Sequence, residues 1–499
     1  MKPAPASGSA STIMTNTAQH TTPDAASGDP PLVVDLDNSL LCTDLFIESV
    51  LRLLKEQPLY LFLLPVWLVQ GRAFIKQEVS RRVTLDISAM PFRRAVLDHL
   101  NRCRTAGRRL VLATAANRRY ADQAAEHLGV FDEVFASDGT RNLKGAVKAS
   151  VLVQRFGREG FDYLGDSVSD LAVWRESRCT LVVNPTPSLE RKLAGTGGIS
   201  ERFTDSRTGV GEYLRTLRLY QWLKNLLIYI PALTSHQVAN PEILAASTLA
   251  FLAFSVSASG VYVLNDLFDL EDDRRHPRKR LRPLAAGAIP LNHAVIMAPA
   301  LLAGGLLLAL LVNVLFFWVL IGYLCLTTAY TVVIKRMVLL DVLVLAGLYT
   351  VRVLAGGAAT GIAISFWLLA FSVFLFFSLA LVKRYAEVLT FDTAGNGTRI
   401  SGRGYRGDDR WTLLGLGLCS GLMAVLVLAL YIHSDEVRAI YETPEVLWLL
   451  CPVLLYWISR TWLLAGRGEL MDDPLLFAVR DRASYVVLAV VLAVMTAAS

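Results

Sequence analysis

Two hydropathy patterns divide the chain. Up to about residue 205 the apolar runs are short: Leu32–Val34, Leu110–Ala113, Tyr163–Leu164 and Thr180–Val183. Longer mixed segments, among them Ala116–Leu128 and Gly145–Phe156, separate these runs and carry helical periodicity. That alternation predicts an N-terminal α/β domain over residues 32–205, with helices on both faces of a parallel sheet. After the polar stretch Glu201–Glu212 the apolar runs lengthen. Nine candidate spans follow, at about 225–239, 242–265, 292–310, 313–333, 340–357, 364–382, 411–432, 444–461 and 483–498. They predict a C-terminal all-α polytopic membrane domain over residues 212–499, with about nine transmembrane helices. Two segments fit neither pattern. Residues 1–31 are rich in Ala, Ser, Thr and Pro and have no apolar signal-peptide core, so they are expected to form a disordered tail. Leu59–Val69 is strongly apolar but short and broken by Pro65. It belongs to a helical insert at about 40–100, and either touches the membrane or packs as a buried core helix.

Composition agrees with a membrane protein: 54% of the 499 residues are hydrophobic, too many for a soluble chain of this length. The net charge of +6 sits in loops beside spans rather than over one face, which excludes nucleic acid as the expected partner. With the N-terminal domain cytoplasmic, the inner loops hold Arg274–Arg282, Lys335/Arg336, Lys383–Arg410 and Arg460–Arg482. The outer loops hold only Arg438, as the positive-inside rule expects, and the C-terminus falls outside. Six cysteines show no CxxC and no metal spacing, and are expected to be reduced.

Chemistry concentrates first at the end of the second span. Asn265, Asp266, Asp269, Glu271, Asp272 and Asp273 precede a run of Arg274, Arg275, His276, Arg278, Lys279, Arg280 and Arg282. Carboxylates at the mouth of a membrane helix are costly unless cations compensate them. On one helix, Asn265, Asp269 and Asp273 share a face, and Asp266 approaches it. Oxygen-only ligands suit Mg²⁺, and the adjoining cations suit a phosphate or diphosphate. Arg352 lies inside a span and Asp341 just inside one, positions that default to functional or paired roles.

The N-terminal domain carries four polar motifs, each after an apolar strand or in a loop. These are Asp35 and Asp37, Thr114, Lys144, and Asp166 with Asp170. In an open α/β sheet such segments converge at the carboxyl ends of the strands. Taken in order, they resemble the haloacid dehalogenase (HAD) superfamily of phosphohydrolases. The resemblance implies a HAD-like, Rossmannoid fold with Asp35 as nucleophile and Asp37 as general acid and base. Thr114 and Lys144 would bind phosphate. Asp35, Asp37, Asp166 and Asp170 would form the Mg²⁺ site. Ser39 departs mildly from the family pattern.

The membrane half resembles the UbiA superfamily of intramembrane prenyltransferases, through Asn265-Asp266-x-x-Asp269-x-x-x-Asp273 and the nine-span layout. Ordinary members hold a prenyl diphosphate with two aspartate motifs. Here the second offers one aspartate, Asp341. The surrounding text is similar to the decaprenyl-phosphate phosphoribosyltransferase subgroup. Its carriers include Arg218-Leu-Tyr220-Gln221-Trp222-Leu-Lys224-Asn225, Asp273-Arg274-x-His276-Pro277-x-Lys279-Arg280-x-Arg282, Arg352-x-x-Ala355-Gly356-Gly357 and Lys383-Arg384-x-x-Glu387. The resemblance implies phosphoribosyl pyrophosphate as donor, a polyprenyl phosphate as acceptor, and a role in cell-envelope biosynthesis. Asn265, Asp266, Asp269 and Asp273 would hold Mg²⁺ and pyrophosphate, with Asp269 and Asp273 essential to catalysis. Lys279, Arg282, Lys335 and Arg352 are donor-phosphate candidates. Lys224, Lys383 and Arg384 are acceptor-phosphate candidates, and Asn225 lies beside them. Tyr330 and Asp341 would touch ribose or orient a lysine. Two alternatives stand beside this expectation. One is a prenyltransferase acting on an aromatic or lipid acceptor. The other is a transporter or lipid-binding scaffold with a regulatory soluble domain, whose sign would be mirrored Gly/Pro breaks in two halves.

Overall fold

The computed structural model describes residues 29–498, apart from 197, 205–208, 394–403, 439–440 and 471–472. Most of the expected disordered tail therefore lies outside the described residues. By internal contact the chain forms two units. The first holds the described residues up to Ser39, Arg94–Ser137 and Asn142–Phe203. The second holds Leu40–Arg93, Asp138–Arg141 and the chain from Thr204 onward.

The first unit is built on a six-stranded sheet in the order β3-β2-β1-β4-β5-β6. The strands are β1 Leu32–Val34, β2 Leu110–Asn117, β3 Glu133–Ser137, β4 Asp162–Gly165, β5 Thr180–Val183 and β6 Glu201–Phe203. All pairings are parallel, with Val33 opposite Val111 on one side and Tyr163 on the other. Four of the strands were visible as buried apolar runs. β3 and β6 were not, because both lie at sheet edges and carry charged residues. Part of the expected polar linker is thus strand β6. The chain steps outward from β1 to β3 and returns to β4 beside β1, so the order reverses at β1/β4. Ligand sites in open α/β sheets fall at such a point, beyond the strand carboxyl ends.

Among the described residues of the second unit, seven helices are long and apolar enough to cross a membrane. They are Pro241–Phe268, Leu291–Val312, Val314–Val332, Leu340–Thr360, Phe366–Thr390, Gly407–Ile432 and Pro444–Gly466. The first and ninth expected spans are not among these seven: the first is irregular and the last is short. The segment expected at 225–239 is a 3₁₀ helix, Leu219–Tyr229, followed by the short helix Ile230–Thr234. Pro231 supplies no backbone N–H there, and Asn225 turns inward to Ser255. The last segment, Arg482–Ala498, has 17 residues. At 1.5 Å per residue it reaches about 26 Å, at the lower limit for a ~30 Å hydrocarbon core. Large apolar side chains such as Leu307, Leu311 and Trp318 remain exposed on the long helices, as lipid-facing residues do. Gly356 brings two segments together: a β-carbon there would lie 2.1 Å from the Ile228 carbonyl oxygen. That close approach seats the 219–229 segment against Leu340–Thr360.

The insert belongs to this second unit. Its apolar stretch forms the 3₁₀ helix Pro58–Phe62 and the helix Leu64–Val69. The buried-core alternative does not hold: Leu59, Phe62 and Val69 are 78, 75 and 89% exposed. Trp67 alone is buried, its ring tilted against Tyr60 and under Arg82.

Candidate active sites

Adjacent strands deliver the carboxylates of the soluble site. Asp35 follows β1 and Asp166 follows β4, while Asp170 closes a short turn stabilised by Ser167. Carboxylate oxygens of Asp35, Asp166 and Asp170 all lie within 4.8 Å of one another. Ser39 donates its hydroxyl to Asp166 Oδ1 at 3.2 Å, and the Tyr163 hydroxyl donates to Asp170 Oδ1 at 2.8 Å. Burial pushes the Asp166 carboxyl up to about 8, helped by the charges of Asp170 and Asp35. Burial likewise raises Asp35 to about 6; Lys148 opposes the rise and Asp170 adds to it. A cluster of hard oxygen donors that resists full ionisation fits a divalent cation such as Mg²⁺.

The lysine at this cluster is Lys148, not the expected Lys144. Lys148 is buried in the helix Ala146–Phe156, with Nζ 3.1 Å from Asp35 Oδ1 and 3.5 Å from Asp170 Oδ1. Lys144 precedes that helix and is exposed. The two are one helical turn apart in sequence, so only the direction of the helix decides between them. Thr114 lies fully buried in β2, where its hydroxyl accepts from the Ala116 N–H at 3.0 Å. Asp37 is half-buried beside Asn38, whose φ of 56° turns the chain sharply after the nucleophile position.

The membrane aspartates are held differently. The helix breaks at Asp269, and a second short helix, Leu270–Arg275, follows. The expected single face is therefore bent, and Asp266 and Asp273 come together rather than Asn265 and Asp273. Arg282 Nη1 bridges them, 3.1 Å from Asp266 Oδ1 and 2.5 Å from Asp273 Oδ2. Arg218 also pairs with Asp266, and Lys279 lies 3.8 Å from Asp273 Oδ1. That Asp273 oxygen is buried with no hydrogen-bond partner among the described residues. An orphaned carboxylate oxygen beside a phosphate-sized cluster of cations fits a metal ligand. Asn265 remains half-buried on the same turn.

A cavity of about 430 Å³ opens in the second unit, lined by Tyr220, Lys224, Lys383, Glu387, Asp473 and Arg480, among others. Asp473 was not expected from the sequence. Its Oδ2 lies 2.7 Å from Lys224 Nζ and 3.4 Å from Lys383 Nζ, and the Tyr349 hydroxyl donates to it at 2.8 Å. A signal existed: Asp473 belongs to an acidic pair, Asp472-Asp473, between two apolar segments. Of the other expected phosphate binders, two are engaged internally. Arg352 is 5% exposed, donates to Asn225 Oδ1 at 2.9 Å and to the Tyr323 hydroxyl at 3.0 Å, and stacks on three aromatic rings. Arg384 Nη2 lies 2.5 Å from Asp341 Oδ2, and Arg384 also pairs with Glu387. Tyr405 donates to Asp341 at 2.6 Å, so Asp341 anchors an arginine and a tyrosine. Tyr330 packs into an apolar cluster, and Lys335 is half-buried nearby on the following turn.

This arrangement is that of a membrane transferase joined to a phosphohydrolase-like domain. The UbiA prenyltransferase family model matches residues 227–477, and the haloacid dehalogenase-like hydrolase model matches residues 32–175. The chain belongs to the UbiA prenyltransferase family and carries an N-terminal HAD domain. Protein y4nM from Sinorhizobium fredii, itself uncharacterized, is 36% identical over 458 residues, 91% of this chain and 88% of its own. The decaprenyl-phosphate phosphoribosyltransferase of Mycobacterium tuberculosis is 33% identical over 228 residues, 43% of this chain and 74% of its own. Among solved structures, a UbiA homolog from Archaeoglobus fulgidus bound to GPP and Mg²⁺ aligns with a TM-score of 0.45 at 19% identity, over 57% of this chain and 99% of its own.

Proposed function

We propose that the membrane half transfers 5-phosphoribose from phosphoribosyl pyrophosphate to a polyprenyl phosphate, and that the HAD domain then hydrolyses the ribose 5-phosphate of the product. The observation that carries the transfer reading is the state of Asp341. The second motif offers this single aspartate, buried and paired with Arg384 and Tyr405, where an ordinary prenyl diphosphate site would have two aspartate motifs. The cationic cavity around Lys224, Lys383 and Arg480 suits the phosphate groups of donor and acceptor instead. The name of the M. tuberculosis relative points the same way.

In the transfer, an oxygen of the acceptor phosphate attacks C1 of the ribose. The C1–O bond to the diphosphate breaks, and pyrophosphate leaves. Asp266, Asp269 and Asp273 would hold Mg²⁺, which supplies charge neutralisation of the leaving group. Arg282 and Lys279 hold the same group by hydrogen bonds, and Lys224 and Lys383 orient the acceptor phosphate. In the phosphatase, Asp35 attacks phosphorus while Asp37 gives its proton to the departing ribose oxygen. Water then hydrolyses the aspartyl-phosphate, with Asp37 taking a proton back. Lys148 holds the phosphate and the Asp35 carboxylate together. Asp35, Asp166 and Asp170 would hold a second Mg²⁺, which shields the phosphate charge.

The basic loops after Pro241–Phe268, Val314–Val332, Phe366–Thr390 and Pro444–Gly466 fall on one side as the spans alternate, and we assign that side to the cytoplasm. The decisive test is mass spectrometry of lipid products from the purified chain with phosphoribosyl pyrophosphate, polyprenyl phosphate and Mg²⁺. Wild-type protein should give a lipid-linked ribose lighter by one phosphate than the Asp35→Asn product. A prenylated acceptor and no lipid-linked ribose would refute the reading.

A further inference from the structure

Every aspartate of the membrane motif meets a cation. Asp266 and Asp273 share Arg282. Asp269 has one cationic partner among the described residues, and it comes from outside the membrane helices. Lys55, in the insert helix Leu45–Glu56, places Nζ 3.2 Å from Asp269 Oδ1 and 2.8 Å from Asp272 Oδ2.

This helix is firmly seated. Arg274 grips Glu48 with both terminal nitrogens, at 2.8 and 2.6 Å, and both side chains are buried. Arg52 pairs with Glu271. Ile47 and Leu51 pack into one apolar cluster with Val263, Leu267 and Leu270, which lie just before and within the motif. Behind them, Gly287 lies so near the insert that a β-carbon there would be 2.4 Å from Cys42 Cβ. Such packing fixes a lysine backbone where an isolated surface ion pair would not.

We propose that the insert completes the transferase site, with Lys55 as a positioning residue that orients Asp269 and offsets the local negative charge so that a diphosphate-bearing donor can enter. The inference rests on the transferase reading of the membrane motif. Five carboxylates between 266 and 273 repel a diphosphate unless each is matched. Lys55 is a third exposed, so it can shift toward an incoming anion without unpacking the helix. The segment that interrupts the phosphatase sequence is then also a part of the transferase, which gives a physical reason for the two to share one chain.

The test uses full-length protein in lipid nanodiscs, with Lys55→Ala and Lys55→Arg. Titration calorimetry of pyrophosphate in the presence of Mg²⁺ is the readout independent of turnover. Lys55→Ala should weaken pyrophosphate binding about tenfold and raise the donor KM comparably, with kcat little changed and an unchanged melting temperature; Lys55→Arg should recover most of both. Wild-type pyrophosphate affinity in Lys55→Ala would overturn the proposal. So would equal losses in both variants accompanied by a lowered melting temperature, which mark a merely structural lysine. Lys55-dependent pyrophosphate binding in a protein that transfers no phosphoribose would sustain the role of Lys55 and refute the donor assignment.

Discussion

The two acidic sites solve one problem in opposite ways. In the soluble unit, three carboxylates are gathered against a single buried lysine, and burial lifts Asp35 and Asp166 well above the usual carboxylate range. In the membrane motif, the aspartates are spread along a bent helix and are met by separate cations, Arg282 at Asp266 and Asp273 and Lys55 at Asp269. A parallel sheet brings neighbouring strand ends within about 5 Å of each other, so its carboxylates crowd by construction. A helix spaces i,i+4 side chains farther apart, and its cations must be imported from other segments. The first site is under-neutralised and is expected to depend more strongly on its metal. The second is largely neutralised by protein and is expected to tolerate metal loss structurally.

The sharpest way to break that comparison is to cross the two activities. Asp35→Asn should lower phosphatase turnover by about 10⁴-fold or more while transfer continues, as removal of a nucleophile does elsewhere. Assays of both activities on one preparation decide it, and loss of both together would mean the sites are not separable. Conversely, Asp273→Asn should lower transfer by more than about a hundredfold and leave the phosphatase at wild-type rate. Full transfer activity in that variant would remove Asp273 from the site.

Asp473 sharpens the comparison from the structural side. It is the shared anion for Lys224 and Lys383, and removing one partner of a buried ion cluster typically costs about 3–5 kcal/mol. Asp473→Ala should therefore lower the melting temperature as well as transfer. An unchanged melting curve would show that the two lysines do not need it.

The smallest expected effect is on pH dependence. Asp35 and Asp166 keep protons in the folded chain that the unfolded chain releases near pH 4. Their contribution to stability is fully present below that range and lost as pH rises through about 6 and about 8. Metal-free protein should melt lower at pH 9 than at pH 6. Because metal binding releases those protons, the stabilisation by added Mg²⁺ should grow across the same window. Thermal melts at the two pH values, with and without Mg²⁺, check the sign, and Asp166→Asn should flatten the trend.

The sequence by itself determined the two-part organisation, most of the sheet, the segments that carry carboxylates and, within its nine expected spans, the seven long helices. All of these are local: short buried strands and long lipid-facing helices declare themselves by run length, and the aspartates lie within a few residues of a strand or helix end. Tertiary structure alone decided which charges meet. Lys224 and Asp473 are 249 residues apart, and Lys55 and Asp269 are 214 apart. Lys148 replaced Lys144 because the helix beginning at Ala146 aims that turn, and not the one before it, at Asp35. Arg352 and Arg384 look like phosphate binders in a linear text, yet Asn225, Tyr323 and Asp341 occupy them in the fold. A charged residue in a membrane helix announces that it must be compensated, but a one-dimensional pattern carries no information about whether the compensating group is a ligand or another part of the chain.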